Sequence, residues 1–167
     1  NGDTYEFNHS ETHPGLYETW SLEPQLNQRY TLVIEHDGYV YEASERVLPV
    51  APIDSIYQYY VEESLFDEEG IRVRIDFTDP ASVENYYLWE QYRDGESIID
   101  PNPGTKWSLI ASDEFYDGQT IFGRQPNDEL IYETGQTALI RQIALSRQAY
   151  DYYFLMLDQV SPRPMNH

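Results

Sequence analysis

Tyr30-Thr31-Leu32-Val33-Ile34-Glu35-His36-Asp37-Gly38-Tyr39-Val40-Tyr41-Glu42-Ala43 is a pair of alternating runs joined by Asp-Gly. Asp-Gly is the strongest short-range hairpin signal, because both positions of a two-residue loop need φ > 0. With Asp37 and Gly38 as that loop, the register sets Ile34 opposite Tyr41 and Leu32 opposite Ala43, giving one apolar face. Just beyond lies Leu48-Pro49-Val50-Ala51-Pro52-Ile53-Asp54-Ser55-Ile56. Each proline fixes φ and removes a ladder donor, so the sheet is expected to break there and a second module to begin at about Ile53. This predicts a β-module over residues 1–50 and a second over 53–161. The physics of these residues describes a β-rich binding or structural protein and names no reaction.

The chain has 167 residues, of which 40% are hydrophobic and 15% aromatic, enough to bury a real core. Its sixteen tyrosines combine strand propensity with a hydroxyl that can stay wet. Thirty acidic residues against ten basic ones give a formal charge of −20. Such a charge repels phosphate backbones and anionic lipid headgroups, so nucleic acid is not expected as a partner. The acidity is spread along the chain, as a solvated surface would be, or as a set of hard-cation sites would be. Without cysteine there is no disulfide framework, thiolate zinc site or thiol nucleophile. No apolar run approaches the roughly 18 residues of a membrane-spanning helix. Asn1-Gly2-Asp3 is neither an initiator methionine nor a signal peptide, and few strands precede the hairpin, so an upstream portion is expected.

Ahead of the hairpin, Asp3 to Phe7 and Gly15 to Trp20 are short strand candidates, which with the hairpin suggest part of a β-sandwich. Past the prolines, Ile53 to Val61 reads as a strand. Ile71-Arg72-Val73-Arg74-Ile75-Asp76-Phe77-Thr78 alternates throughout, the mark of a half-buried antiparallel strand. Asn85 to Arg93 is aromatic on both faces, so it is either central or lines a binding surface. Asp94-Gly95 is read as the start of a long loop, after which Lys106 to Ala111 continues the sheet. Further strands are expected at Gln119 to Phe122, Glu129 to Glu133 and Thr137 to Leu145. Ser146 is a plausible N-cap for a helix near 147–160, with Tyr150, Tyr153, Phe154 and Leu157 at i, i+3, i+4 and i+7. Pro162 stops it.

The four histidines show no ligand spacing, and no nucleophile elbow, phosphate loop or dinucleotide fingerprint occurs. The chain therefore reads as non-enzymatic. Glycoside hydrolysis needs only two carboxylates at the correct separation, which thirty acids make inevitable somewhere; it stands as a third reading. Asp113-Glu114-Phe115-Tyr116-Asp117-Gly118 is either an ordinary acidic turn or a calcium site through Asp113, Glu114 and Asp117. No other cofactor is implied. Tyr86, Tyr87, Trp89, Tyr92 and Trp107 are either core and cross-strand pairs or a flat stacking surface for a sugar ring or a partner protein.

The order of several short segments resembles a known family, the Bacteroidetes lipoprotein-type proteins grouped as domain of unknown function 4249. The segments are Gly15-Leu16-Tyr17; Arg29 to Ile34 with Gly38-Tyr39-Val40-Tyr41; Pro52 to Ile56; Asp79-Pro80 with Asn85-Tyr86-Tyr87-Leu88-Trp89; Asp113 to Gly118; and Leu145-Ser146 with Ala149 to Tyr152. The resemblance covers nearly the whole chain. It implies an Ig-like N-terminal β-domain followed by a second β-domain. Joined to the strand and helix readings above, the chain is expected to be all-β, the C-terminal part of an Ig-like β-sandwich followed by a second antiparallel β-domain with one C-terminal amphipathic helix. The resemblance implies location at the outer membrane, at the cell surface, through a lipidated cysteine upstream of this chain. An outer-membrane β-barrel, a TonB-dependent transporter, is the implied partner, in nutrient uptake or assembly. A carbohydrate-binding module, calcium-assisted, is the alternative, with a glycan or peptide as ligand. The resemblance supplies no catalytic residues. Asp54-Ser55-Ile56 is similar to the short pattern O-glycosylated in exported Bacteroidetes proteins, which makes Ser55 a candidate modification site.

Overall fold

In the computed structural model, residues 2–65, 67–98, 106–128 and 130–160 are described, without the side chains of Lys106, Trp107 and Val160. The chain divides into two compact units, residues 1–47 and 48–167.

The first unit holds two small antiparallel sheets. Strands β1 (Asn8–His9) and β2 (Tyr17–Glu18) form one, so the strand expected at Asp3 to Phe7 lies slightly later. Strands β3 (Arg29–His36) and β4 (Tyr39–Arg46) form the other. Asp37 and Gly38 take φ values of 50° and 79°, as a two-residue loop between right-twisted strands requires. Leu32 faces Ala43 and Ile34 faces Tyr41, the expected register. The apolar residues of this hairpin are exposed on both of its faces, including Leu32, Val33, Ile34, Tyr39, Val40 and Tyr41.

The second unit is built from two stacked sheets. One has the order β10-β6-β5 and uses β5 (Ile53–Val61), β6 (Gly70–Thr78) and β10 (Thr120–Arg124). The other centres on β7 (Tyr86–Arg93), with β11 (Ala138–Ala144) along one edge and β8 (Glu96–Ile98) and β9 (Ile110–Ser112) along the other. Alternation in β6 sends Val73, Ile75 and Phe77 inward. There the Phe77 ring meets Tyr87 at 5.2 Å and Trp89 at 5.9 Å across the sheets, within the range of favourable aromatic pairs. The indole N–H of Trp89 donates to Gln142, whose amide donates to the carbonyl of Ala51. These bonds satisfy polar groups the core would otherwise strand.

Helix α2 (Arg147–Val160) covers the other face of β7, with Tyr86 and Tyr150 ring centroids 4.9 Å apart. Ser146 caps it, its hydroxyl accepting the N–H of Ala149 and its carbonyl that of Tyr150. Tyr150, Tyr153, Phe154 and Leu157 are its half-buried stripe, flanked by exposed residues. Being covered on both sides, β7 is a central strand.

Three local expectations are corrected. Asp94-Gly95 does not start a long loop: with φ values of 53° and 85° it is a second two-residue hairpin turn, pairing Arg93 with Glu96. Lys106 to Ala111 does not continue the sheet throughout, because α1 (Lys106–Leu109) precedes β9. Of Glu129 to Glu133, Tyr132 makes a single bridge to Ile71, while Glu129 lies outside the described residues.

Candidate functional site

The acidic turn is drawn together with a second loop. Asp79 at the end of β6, Asp113 and Asp117 bring one carboxylate oxygen each within 4.8 Å of one another. Glu114 is exposed and belongs to no such group among the described residues. The hydrogen bond from the N–H of Tyr116 to the carbonyl of Asp113 closes the turn immediately around it. Asp79 takes its place, brought in by a distant strand end that no spacing rule connects to residue 113.

Each of the three carboxylates accepts main-chain or tyrosine donors. Asp79 accepts the hydroxyl of Tyr87 and the N–H of Gly118, Asp113 the N–H of Asn85, and Asp117 the N–H of Ser82. Burial pushes the carboxyl of Asp113 above the ordinary range, helped by the nearby charges of Asp79 and Asp117 and opposed by the Asn85 N–H. Burial and the bond to Asp79 push the Tyr87 hydroxyl strongly upward. The chemistry these groups perform here is to clamp the 79–85 segment to the 113–119 turn.

The aromatic residues proposed as a stacking surface go mostly to the core. Tyr87 and Trp89 are each 1% exposed and Tyr86 is 9% exposed, because β7 is covered on both faces. Tyr92 is half-buried, bonded to Glu90 and beneath the guanidinium of Arg141. The side chain of Trp107 lies outside the described residues. Ser55 sits exposed on β5 and donates its hydroxyl to Asp76 at 2.7 Å.

A further site was not singled out from the sequence. The outer face of the β5-β6 pair sets Tyr57 opposite Arg74 and Tyr59 opposite Arg72. At the bulge between Ile121 and Arg124, Gly123 adopts φ 67° and directs its N–H to Asp76. That bond holds the Asp76 carboxyl below its ordinary range, with the Ser55 and Tyr57 hydroxyls adding to it. A cavity of about 390 Å³ opens on this face, lined among others by Tyr59, Arg72, Arg74, Gln125, Asp67 and Asp128. Alternation alone sends Arg72 to solvent, yet it is 6% exposed. The preceding segment encloses it: Asp67 pairs with its guanidinium at 3.4 Å, and the carbonyl of Glu68 accepts from it at 3.2 Å. Two arginines on alternate positions of one strand were the available signal, but enclosure of the outer face has no signature in the pattern.

No curated protein and no solved structure matches the chain. A family model described as "Domain of unknown function (DUF4249)" matches residues 1–164. The order of short segments that suggested the resemblance thus holds across both compact units, and the chain belongs to the DUF4249 family.

Proposed function

We propose that this chain is a non-enzymatic accessory protein of the outer membrane, lipid-anchored through an upstream cysteine and docked on a TonB-dependent transporter or another β-barrel complex. The observation that carries the reading is the β3-β4 hairpin: its apolar side chains are exposed on both faces, and it pairs with no third strand among the described residues. Exposed apolar surface joined to open strand edges favours protein contact, by side-chain packing or by strand addition. Gentle purification of the full-length protein from its native membrane tests the reading. A stoichiometric β-barrel transporter is the expected companion, and a protein that comes out alone counts against it. Val33→Asp and Val40→Asp should each reduce co-purification without altering the second unit.

A subsidiary reading gives the Asp79, Asp113 and Asp117 cluster a calcium ion. Three oxygens within reach of one ion favour it, although calcium takes about six to eight, including carbonyls. A calcium-dependent rise in Tm that Asp117→Ala abolishes is the expected result, and a flat titration of the parent chain removes the ion and leaves the clamp.

A further inference from the structure

The cavity on the outer face of β5-β6 presents cationic groups with unused hydrogen-bonding capacity in a chain of charge −20. Arg72 is more than nine-tenths buried and lines the cavity, and its Nε has no partner among the described residues. The buried Nε of Arg74 is likewise unpartnered. The Arg74 guanidinium lies 3.9 Å over the Tyr59 ring, and among the described residues no carboxylate pairs with it. A buried donor left without an acceptor is destabilising, more so when it is charged. Asp67 and Asp128 line the same cavity, and Asp67 pairs with Arg72, so the Arg74 guanidinium is the donor left to take an added acceptor.

We propose that this cavity binds a small hydroxylated carboxylate of the sugar-acid class. Arg74 and Arg72 take the carboxylate, Tyr59 and the arginine stems wall the ring, and Asp67 and Asp128 accept from its hydroxyls. A planar carboxylate matches the guanidinium fork and can accept two parallel bonds from it. The two aspartates set the ligand class further. They repel a doubly charged phosphate, whereas they accept readily from hydroxyl groups. The volume of about 390 Å³ lies in the roughly 300–1,000 Å³ range of small-molecule sites. This site lies wholly within the second unit and does not depend on the proposed membrane partner.

The test uses the 167-residue chain with D-glucuronate as probe, D-glucose as its uncharged counterpart and inorganic phosphate as the competing anion. The arginine Nε–H resonances of Arg72 and Arg74 should shift and saturate with glucuronate. Glucose and phosphate should leave them in place. Because Arg72 is bonded into the enclosing segment, the informative variant is Arg74→Gln. It should weaken glucuronate roughly tenfold or more, the worth of a charge-assisted bond, with circular dichroism unchanged. Arg74→Lys, which keeps the charge and loses the fork, should fall between. Absence of any shift up to about 50 mM glucuronate, well beyond millimolar affinity, overturns the proposal. So do equal responses to glucose or phosphate, and unchanged affinity in Arg74→Gln.

Discussion

Among the described residues, the hairpins turning at Asp37-Gly38 and Asp94-Gly95 share a turn and differ in their surroundings. Asp37-Gly38 and Asp94-Gly95 adopt nearly the same backbone, with φ of 50° and 79° in one and 53° and 85° in the other. The strands of the first unit's hairpin expose their apolar residues on both faces. In the second unit, β7 is covered by β6 on one face and α2 on the other, leaving Tyr87 and Trp89 at 1% exposure. Turn chemistry therefore sets pairing register without reference to burial, since a two-residue Asp-Gly loop is a local requirement on φ. Burial depends on what else the chain brings to each face.

Trp89→Ala breaks the comparison hardest. It deletes a ring that contacts Phe77 and Tyr87, and should cost the second unit about 3–5 kcal/mol in denaturant unfolding. Val33→Ala in the exposed hairpin should stay within about 0.5 kcal/mol in the same measurement. A comparable loss from Val33→Ala would mean that the hairpin is packed in solution.

Gly38→Ala and Gly95→Ala sharpen the likeness between the turns. Neither introduced methyl group meets an atom within 4 Å, so backbone strain at positive φ is what remains. Each should cost about 1–2 kcal/mol, read as a lowered Tm. Gly118→Ala is the control with added steric conflict, since its Cβ would stand 2.7 Å from the Cβ of Ala81.

The smallest effect is on pH dependence and separates two carboxylates of the second unit. Asp113 titrates above its ordinary value of 3.8 when folded because it is buried. Ionising it therefore costs stability, and acidification towards 3.8 should return that stability. Asp76 is held below 3.8 first by the Gly123 N–H, so its contribution persists above 3.8 and is lost as pH falls through its folded pKa. A Tm profile should rise slightly and then fall on acidification. Asp113→Asn should flatten the rise and Asp76→Asn the fall; the reverse assignment would refute these environments.

Much of the architecture was legible because its signals are local. The alternation of β6, the Ser146 cap and the Tyr150, Tyr153, Phe154 and Leu157 stripe each lie within one turn or one strand, where the two periodicities operate. Misreadings occurred where locality failed. Asp94-Gly95 carried the same signal as Asp37-Gly38, but its return strand is only Glu96–Ile98, too short for a visible pattern. The aromatic β7 left two answers open, since periodicity reports amphipathic faces and cannot say what covers them.

The sequence by itself determined the hairpin register, the main strands, the capped helix and the family, because each rests on neighbouring residues or on their order along the chain. Only the tertiary structure decided that Asp79 joins Asp113 and Asp117, that Tyr87 and Trp89 are core, and that Arg72 is enclosed on a face alternation assigns to water. Those outcomes come from chain segments tens of residues apart meeting in space, and side-chain burial is set by that meeting.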